Sequence, residues 1–184
     1  MDILNNIFLG LIILLIVGSC YIPIYFMIRK KQIPILKQLS WIALAGIIFV
    51  ILFATILLNV IAGGLSFNPP YHHLNLVPFS WLFETWEMGF RAMMTQVISN
   101  MIMFVPFGFL LPVVFKFFRS LLKTTGFAFC FSFLIEVFQY FIGRSCDIDD
   151  LILNTLGAII GYGIFLLFSK WFRDTNWWTQ LLGQ

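Results

Sequence analysis

Half of the eight acidic residues in this chain fall between positions 136 and 150, in the stretch EVFQYFIGRSCDIDD, which runs on as LILNTLGAIIG to position 161. Read as helix, Glu136 and Gln139 share one face, because residues three and four apart are neighbours on a helix surface, and Gly143 continues that stripe. Asp150, Asn154, Gly157 and Gly161 recur at i, i+4, i+7 and i+11, so a second stripe carries polar groups and glycines together. A buried acid such as Glu136 can pair with a cation, hold a proton for general acid–base work, or relay protons. The guanidinium of Arg144 suits a phosphate or carboxylate because it donates bidentately. Asp147, Asp149 and Asp150 stand at an expected helix start, where carboxylates cap free amides and complement the helix dipole. Capping accounts for one or two of these three and leaves Glu136 unexplained. No calcium-loop spacing is present.

The elements that must position these groups are membrane spans. The chain has 184 residues, of which 61% are hydrophobic and 10% charged, with a mean hydropathy of +0.98. These values lie outside the range of soluble domains. Apolar runs of about 20 residues, enough to cross a hydrocarbon core of ~30 Å as helix, predict five spans. They are Ile7–Ile28, Leu39–Ala62, Val97–Phe115, Gly126–Ile142 and Leu151–Phe168. The expected fold is an all-α bundle, and residues 1–184 read as a single polytopic membrane domain. The absence of an internal repeat disfavours a transporter built from inverted halves.

Nine of the eleven basic residues fall at one end of these spans: Arg29, Lys30, Lys31, Lys37, Lys116, Arg119, Lys123, Lys170 and Arg173. Arg91 and Arg144 fall at the other. Basic loops are retained on the cytoplasmic side, so the expected orientation has the N-terminus outside, the C-terminus inside and the Arg144–Asp150 loop extracytoplasmic. The net charge of +3 thus describes topology, and no basic patch interleaved with aromatics points to nucleic acid. Val17-Gly18-Ser19-Cys20 looks like a cleavage box before a lipidated cysteine. No basic residue precedes it, however, and the apolar run continues to Ile28, as an anchor's does.

The second outer segment, 63–96, opens on loop signals at Gly63-Gly64 and Asn68-Pro69-Pro70. From Phe79 to Arg91 apolar and polar residues separate onto two faces, which predicts an amphipathic helix lying in the interface. His72-His73 lacks a third ligand, and Cys20, Cys130 and Cys146 have no metal-ligand or disulfide spacing, so neither a metal nor another cofactor is expected.

In the third span Asn100, Pro106 and Gly108 occur in NMIMFVPFGFLLP. Pro106 removes one backbone donor and, with Gly108, predicts a kink or a close helix contact. From the helical rise, Asn100 and Asn154 lie about 6 Å and Glu136 roughly 10 Å below the outer boundary. Three helices therefore place polar groups at one level, where insertion of an ionisable side chain costs about 2.5 to 3.5 kcal/mol. Gly157 and Gly161 are expected at a close helix contact.

Four blocks occur in one order: LNLVPF at Leu74–Phe79, NMIMFVPFGFLLP at Asn100–Pro112, EVFQ at Glu136–Gln139, and GRSCDIDDLILNTLGAIIGY at Gly143–Tyr162. Together they resemble the VanZ-like membrane protein family over residues 74–162. The resemblance implies a small multi-helix protein of the bacterial cytoplasmic membrane, in a family whose namesake is associated with resistance to the glycopeptide teicoplanin. It also carries Asn100, Pro106, Gly108, Glu136, Gln139, Arg144, Asp147, Asp150, Asn154 and Gly157 as motif positions. Cys146, His72-His73 and the Trp-rich stretch from Trp171 to Trp178 stand outside that pattern.

Three functions fit these residues. One is a non-catalytic envelope protein that binds or shields a lipid-linked cell-wall precursor, lipid headgroup or glycopeptide through Asn100, Glu136, Gln139, Arg144, Asp147, Asp150 and Asn154. The second is a membrane enzyme with Glu136 as acid or base on an amphiphilic substrate. The third is a structural or accessory subunit. Neither a nucleotide loop, a nucleophile elbow nor an HExxH motif favours a named reaction.

Overall fold

A computed structural model describes residues 21, 33–63, 74–80, 89–141 and 144–183. The first predicted span apart from Tyr21, the Cys20 box, His72-His73 and Gly143 lie outside the described residues. The other four predicted spans are present as helices long and apolar enough to cross a membrane: Ile35–Leu57, Met93–Val114, Leu121–Tyr140 and Ile148–Trp171. The chain is an all-α membrane protein.

Helix α1 (Ile35–Leu52) continues through a π-helical turn, Phe53–Leu57, into α2 (Leu58–Gly63). Strand β1 (Leu74–Asn75) precedes α3 (Phe90–Val114), and a 3₁₀ turn at Lys116–Phe118 leads into α4 (Leu121–Phe141). Strand β2 (Cys146–Asp147) runs into α5 (Ile148–Trp171), and α6 (Asn176–Leu182) follows. The helix interiors are apolar, so tertiary packing and lipid decide which face each residue takes.

Helix α3 is the hub, packed against α5 along most of its length and against α1 on another side. Small residues make this approach possible. A Cβ at Gly108 would overlap the Ala158 carbonyl oxygen, one at Gly157 the Met101 carbonyl oxygen, and one at Gly161 the Val105 carbonyl oxygen. The expected close contact at Gly157 and Gly161 is therefore the α3–α5 seam, with Gly108 contributing from the opposite helix. Beside it, Phe104 and Phe107 are fully buried, and Phe107 stacks on Phe131 of α4 at 5.1 Å between ring centroids. Pro106 and Pro112 are both accommodated inside α3.

At the end where α3 and α5 finish, the structure adds what the sequence did not signal. Lys37 lies in the first turn of α1, buried, rather than in a basic connection. Its Nζ donates to the carbonyls of Val113 at 2.7 Å and Val114 at 2.9 Å. These carbonyls belong to the last turn of α3, which has no helical partner for them. Arg119 donates to the Pro112 carbonyl at 3.2 Å and the Leu182 carbonyl at 3.0 Å. Trp178 of α6 is 1% exposed, packed with Val113, Tyr162 and Phe165. Part of the Trp-rich tail is thus core.

The residues described at the two ends of the amphipathic helix expected over Phe79–Arg91 belong to other elements. Residues 78–80 form a turn in which Phe79 has a φ of 64°. Phe90 and Arg91 already belong to the membrane helix α3, which starts after Gly89 at a φ of 80°. Residues 81–88 lie outside the described residues. The polar–apolar alternation at Phe90 and Arg91 reflects the rim of a long span, because α3 begins seven residues before the predicted Val97.

Candidate functional site

At the opposite end, helix starts and loop strands are held by carboxylates. Asp147 is the N-cap of α5, and its Oδ1 accepts from the Asp149 N–H at 2.9 Å. Capping was one expectation for these acids, and Asp147 fulfils it. Its two neighbours have other partners. Asp149, 4% exposed, accepts from the Phe79 N–H at 2.6 Å and from Ser80 Oγ at 2.9 Å. Asp150 Oδ1 accepts from Asn100 Nδ2 of α3. One acid thus caps, one fastens a loop, and one meets a neighbouring helix.

The loop so fastened is the LNLVPFS stretch. Strand β1 pairs in parallel with β2, Leu74 opposite Cys146 and Asn75 opposite Asp147. Asn75 Nδ2 donates to Ser80 Oγ at 2.7 Å and to Asp147 Oδ2 at 3.2 Å. Leu74–Asn75 is too short to carry a strand periodicity, so the resemblance named this block while the residue pattern did not reveal its role.

Behind the loop lies a cleft of about 250 Å³. Helix α3 contributes Ser99, Asn100 and Met103, and α4 contributes Glu136 and Gln139. Asp150 and Asn154 come from α5, Arg144 from the loop before it, and Ala54 and Thr55 from the π-helical turn. Six of the seven predicted binding residues therefore line one cavity. The seventh, Asp147, stands beside it and donates its backbone N–H to Glu136 Oε2 at 2.9 Å.

That bond bears on one of the three roles open to a buried acid. Among the described residues Glu136 forms no ion pair with Arg144, and the ion pair present is Arg173–Asp174 on the surface. Glu136 turns instead to the start of the acidic loop, while Arg144, exposed, reaches the Thr55 carbonyl at 3.5 Å. Gln139 Nε2 donates to the same carbonyl at 3.1 Å. A π-helical turn shifts the backbone bonding pattern and recurs at functional sites. Here it sets Thr55 on the cleft wall, which the uniformly apolar sequence of the second span does not signal.

Asn154, 3% exposed, donates from Nδ2 to Ser132 Oγ at 2.9 Å. Its Oδ1 has no hydrogen-bond partner among the described residues. A buried polar atom without a partner costs about 1–3 kcal/mol, so its retention in a cavity wall calls for an occupant or a role. Cys146, in the loop and outside the spans, has its thiol pKa raised by burial first, then by the charges of Glu136 and Asp147.

Fold and cleft together define a polytopic helical membrane protein with an interhelical polar site fastened by an acidic loop. The VanZ/LLP1 family model matches residues 41–169, and the chain belongs to that family. The match takes in α1 from Trp41 onward and its π-helical turn as well as the four blocks. Protein VanZ of Enterococcus faecium is 38% identical over 105 residues, which cover 56% of this chain and 59% of the relative. The aligned part thus spans less than two thirds of that relative's length. No solved structure matches the chain.

Proposed function

We propose that this protein is a bacterial envelope protein linked to resistance against teicoplanin-type glycopeptides, acting by binding or shielding an envelope component in the Glu136–Asp150 cleft. In this reading the whole chain is one polytopic domain of the cytoplasmic membrane, and the cleft opens to the outer leaflet. The orientation rests on charge. Lys37, Lys116, Arg119, Lys123, Lys170 and Arg173 lie toward the end where α1 and α4 start and α3 and α5 finish. Arg91 and Arg144 lie at the other, and basic residues are retained inside.

The observation that carries the binding reading is the wall of Asn154. Polar groups from three helices and a π-helical turn line one cavity, and one buried acceptor there has no protein partner. The alternative of an acid–base enzyme draws on Glu136 itself, buried and held on one oxygen by a backbone N–H.

One assay separates these readings. Wild type, Glu136→Gln, Arg144→Lys and Asp150→Asn are expressed in a susceptible Gram-positive host, matched for membrane abundance, and tested for teicoplanin and vancomycin susceptibility. Wild type is expected to protect, and the variants to lose part of that protection. An acid–base enzyme loses everything with Glu136→Gln, whereas a binding site retains part wherever an amide can replace the lost hydrogen bonds. Full protection by all three variants sinks a functional cleft, and no protection by wild type removes the resistance link. Cys146 labelling by a membrane-impermeant thiol reagent in intact cells checks the orientation, and modification only after permeabilisation inverts it.

A further inference from the structure

The lining of the cleft is unbalanced in both charge and hydrogen-bonding sense. Glu136 and Asp150 bring two carboxylates, and Arg144 is the single cation lining it among the described residues. Arg144 is exposed, whereas Glu136 is buried. Each acid has one described donor, the Asp147 N–H for Glu136 and the Asn100 amide for Asp150. An ionised carboxylate has about four acceptor sites, so both have capacity left. Asn154 Oδ1, buried and unpartnered, adds a third acceptor and is an observation independent of the acids.

An anion placed among these groups would meet like charge in a poorly solvated space, where charge repulsion is least screened. A cation carrying N–H donors meets the reverse situation. We propose that the cleft receives the primary ammonium group of a zwitterionic headgroup, with Glu136 and Asp150 as counter-charges and Asn154 Oδ1 as a further acceptor. Arg144, at the exposed edge, takes the anionic group of the same headgroup. An ammonium has three N–H donors, and each of the two carboxylates has acceptor capacity left for them. This assignment rests on the binding reading above and names the ligand class for the same site.

Phosphate and primary ammonium in one headgroup occur both in membrane aminophospholipids and in soluble phosphorylated amines. Exposed Ile98, Ile102 and Phe138, close in sequence to Ser99, Asn100 and Gln139, give the cleft-bearing helices apolar outer faces for an acyl chain.

The test titrates the full-length protein in maltoside micelles with single-chain lipids of equal tail length, read by native mass spectrometry. Lysophosphatidylethanolamine carries phosphate and ammonium, and lysophosphatidylglycerol carries the phosphate alone. The ethanolamine lipid is expected to bind at least about tenfold more tightly to wild type. In Glu136→Gln and Asp150→Asn, each with an unchanged unfolding temperature, that preference is expected to fall below about threefold. Comparable binding of phosphoethanolamine without a tail supports the ammonium assignment with a soluble source, and its failure to bind supports a lipid source. Equal or tighter binding of the glycerol lipid by wild type overturns the ammonium assignment and leaves a binding cleft in place, however the variants fold. Binding of neither lipid also overturns it, and the susceptibility assay then decides the binding reading by itself.

Discussion

Both ends of the bundle are tied by charged side chains bonded to main-chain groups, yet one end is filled with aromatic side chains and the other keeps a cleft. At the Lys37 end, cations donate to the carbonyls of Pro112, Val113, Val114 and Leu182, and the space between is filled by Trp178, Tyr162 and Phe165. At the Glu136 end, carboxylates accept from the backbone of Phe79, Asp147 and Asp149, but a cleft lined by polar side chains remains. Cations complement helix C-termini as carboxylates complement N-termini. The first end uses that complementarity to close the fold, and the second uses it to hold open a polar space. The same chemistry thus closes the bundle in one place and borders a polar cleft in the other.

The α3–α5 seam joins the two ends, and breaking it is the largest perturbation available. Gly157→Leu or Gly161→Leu drives a side chain into the main chain of α3, where no flexible neighbour can yield. Overpacking of this kind costs about 1–3 kcal/mol and sometimes more. Both variants are expected to lower the unfolding temperature in detergent and the membrane abundance, disturbing the cleft and the Lys37 end alike. Normal unfolding of Gly157→Leu would mean that the helices can separate without consequence.

Next in size is Lys37→Met, which keeps much of the side-chain length while leaving the Val113 and Val114 carbonyls without their donor. Buried unsatisfied carbonyls cost about 1–3 kcal/mol, so a drop in unfolding temperature is expected. Protection per molecule of protein in the membrane is expected to stay at wild-type level, because Lys37 does not line the cleft. Reduced protection at matched abundance would break the division between a structural and a functional end.

How legible was this division? Composition and hydrophobic runs yield the spans, and i, i+4 spacing places Glu136, Gln139, Asp150 and Asn154 on inward stripes, because lipid penalises polar groups on any other face. These four share a cavity with Asn100 and Arg144. The partners were not legible. Glu136 chose a backbone N–H over Arg144, and Thr55 enters through a π-helical turn in an apolar run. Ser132 was hidden among aromatics, as a lone hydroxyl gives no periodic signal. Lys37 read as one basic residue in a topogenic cluster, since neither charge nor spacing distinguishes a cation that binds carbonyls from one in solvent. Asn75 and Ser80 act through pairing across more than sixty residues, which no local pattern encodes.

The smallest effect gives the sharpest reading of how the cleft and its loop communicate. Cys146 sits in β2, and its thiol pKa is raised by burial, by Glu136 and by Asp147, in that order. The thiolate is the reactive form, so a raised pKa means less thiolate at a given pH. The rate of maleimide labelling on the folded protein is therefore expected to rise with pH along a curve displaced above that of the denatured chain. Glu136→Gln removes one negative charge and leaves burial in place, so its curve is expected to move back toward lower pH by less than the full displacement. Lys37→Met, acting at the other end, is expected to leave the curve where wild type has it. The measurement is the labelling rate across a pH series in a variant lacking Cys20 and Cys130. A Glu136→Gln curve that overlays wild type would sever the electrostatic link between cleft and loop. A shift caused by Lys37→Met would show instead that the two ends are not independent.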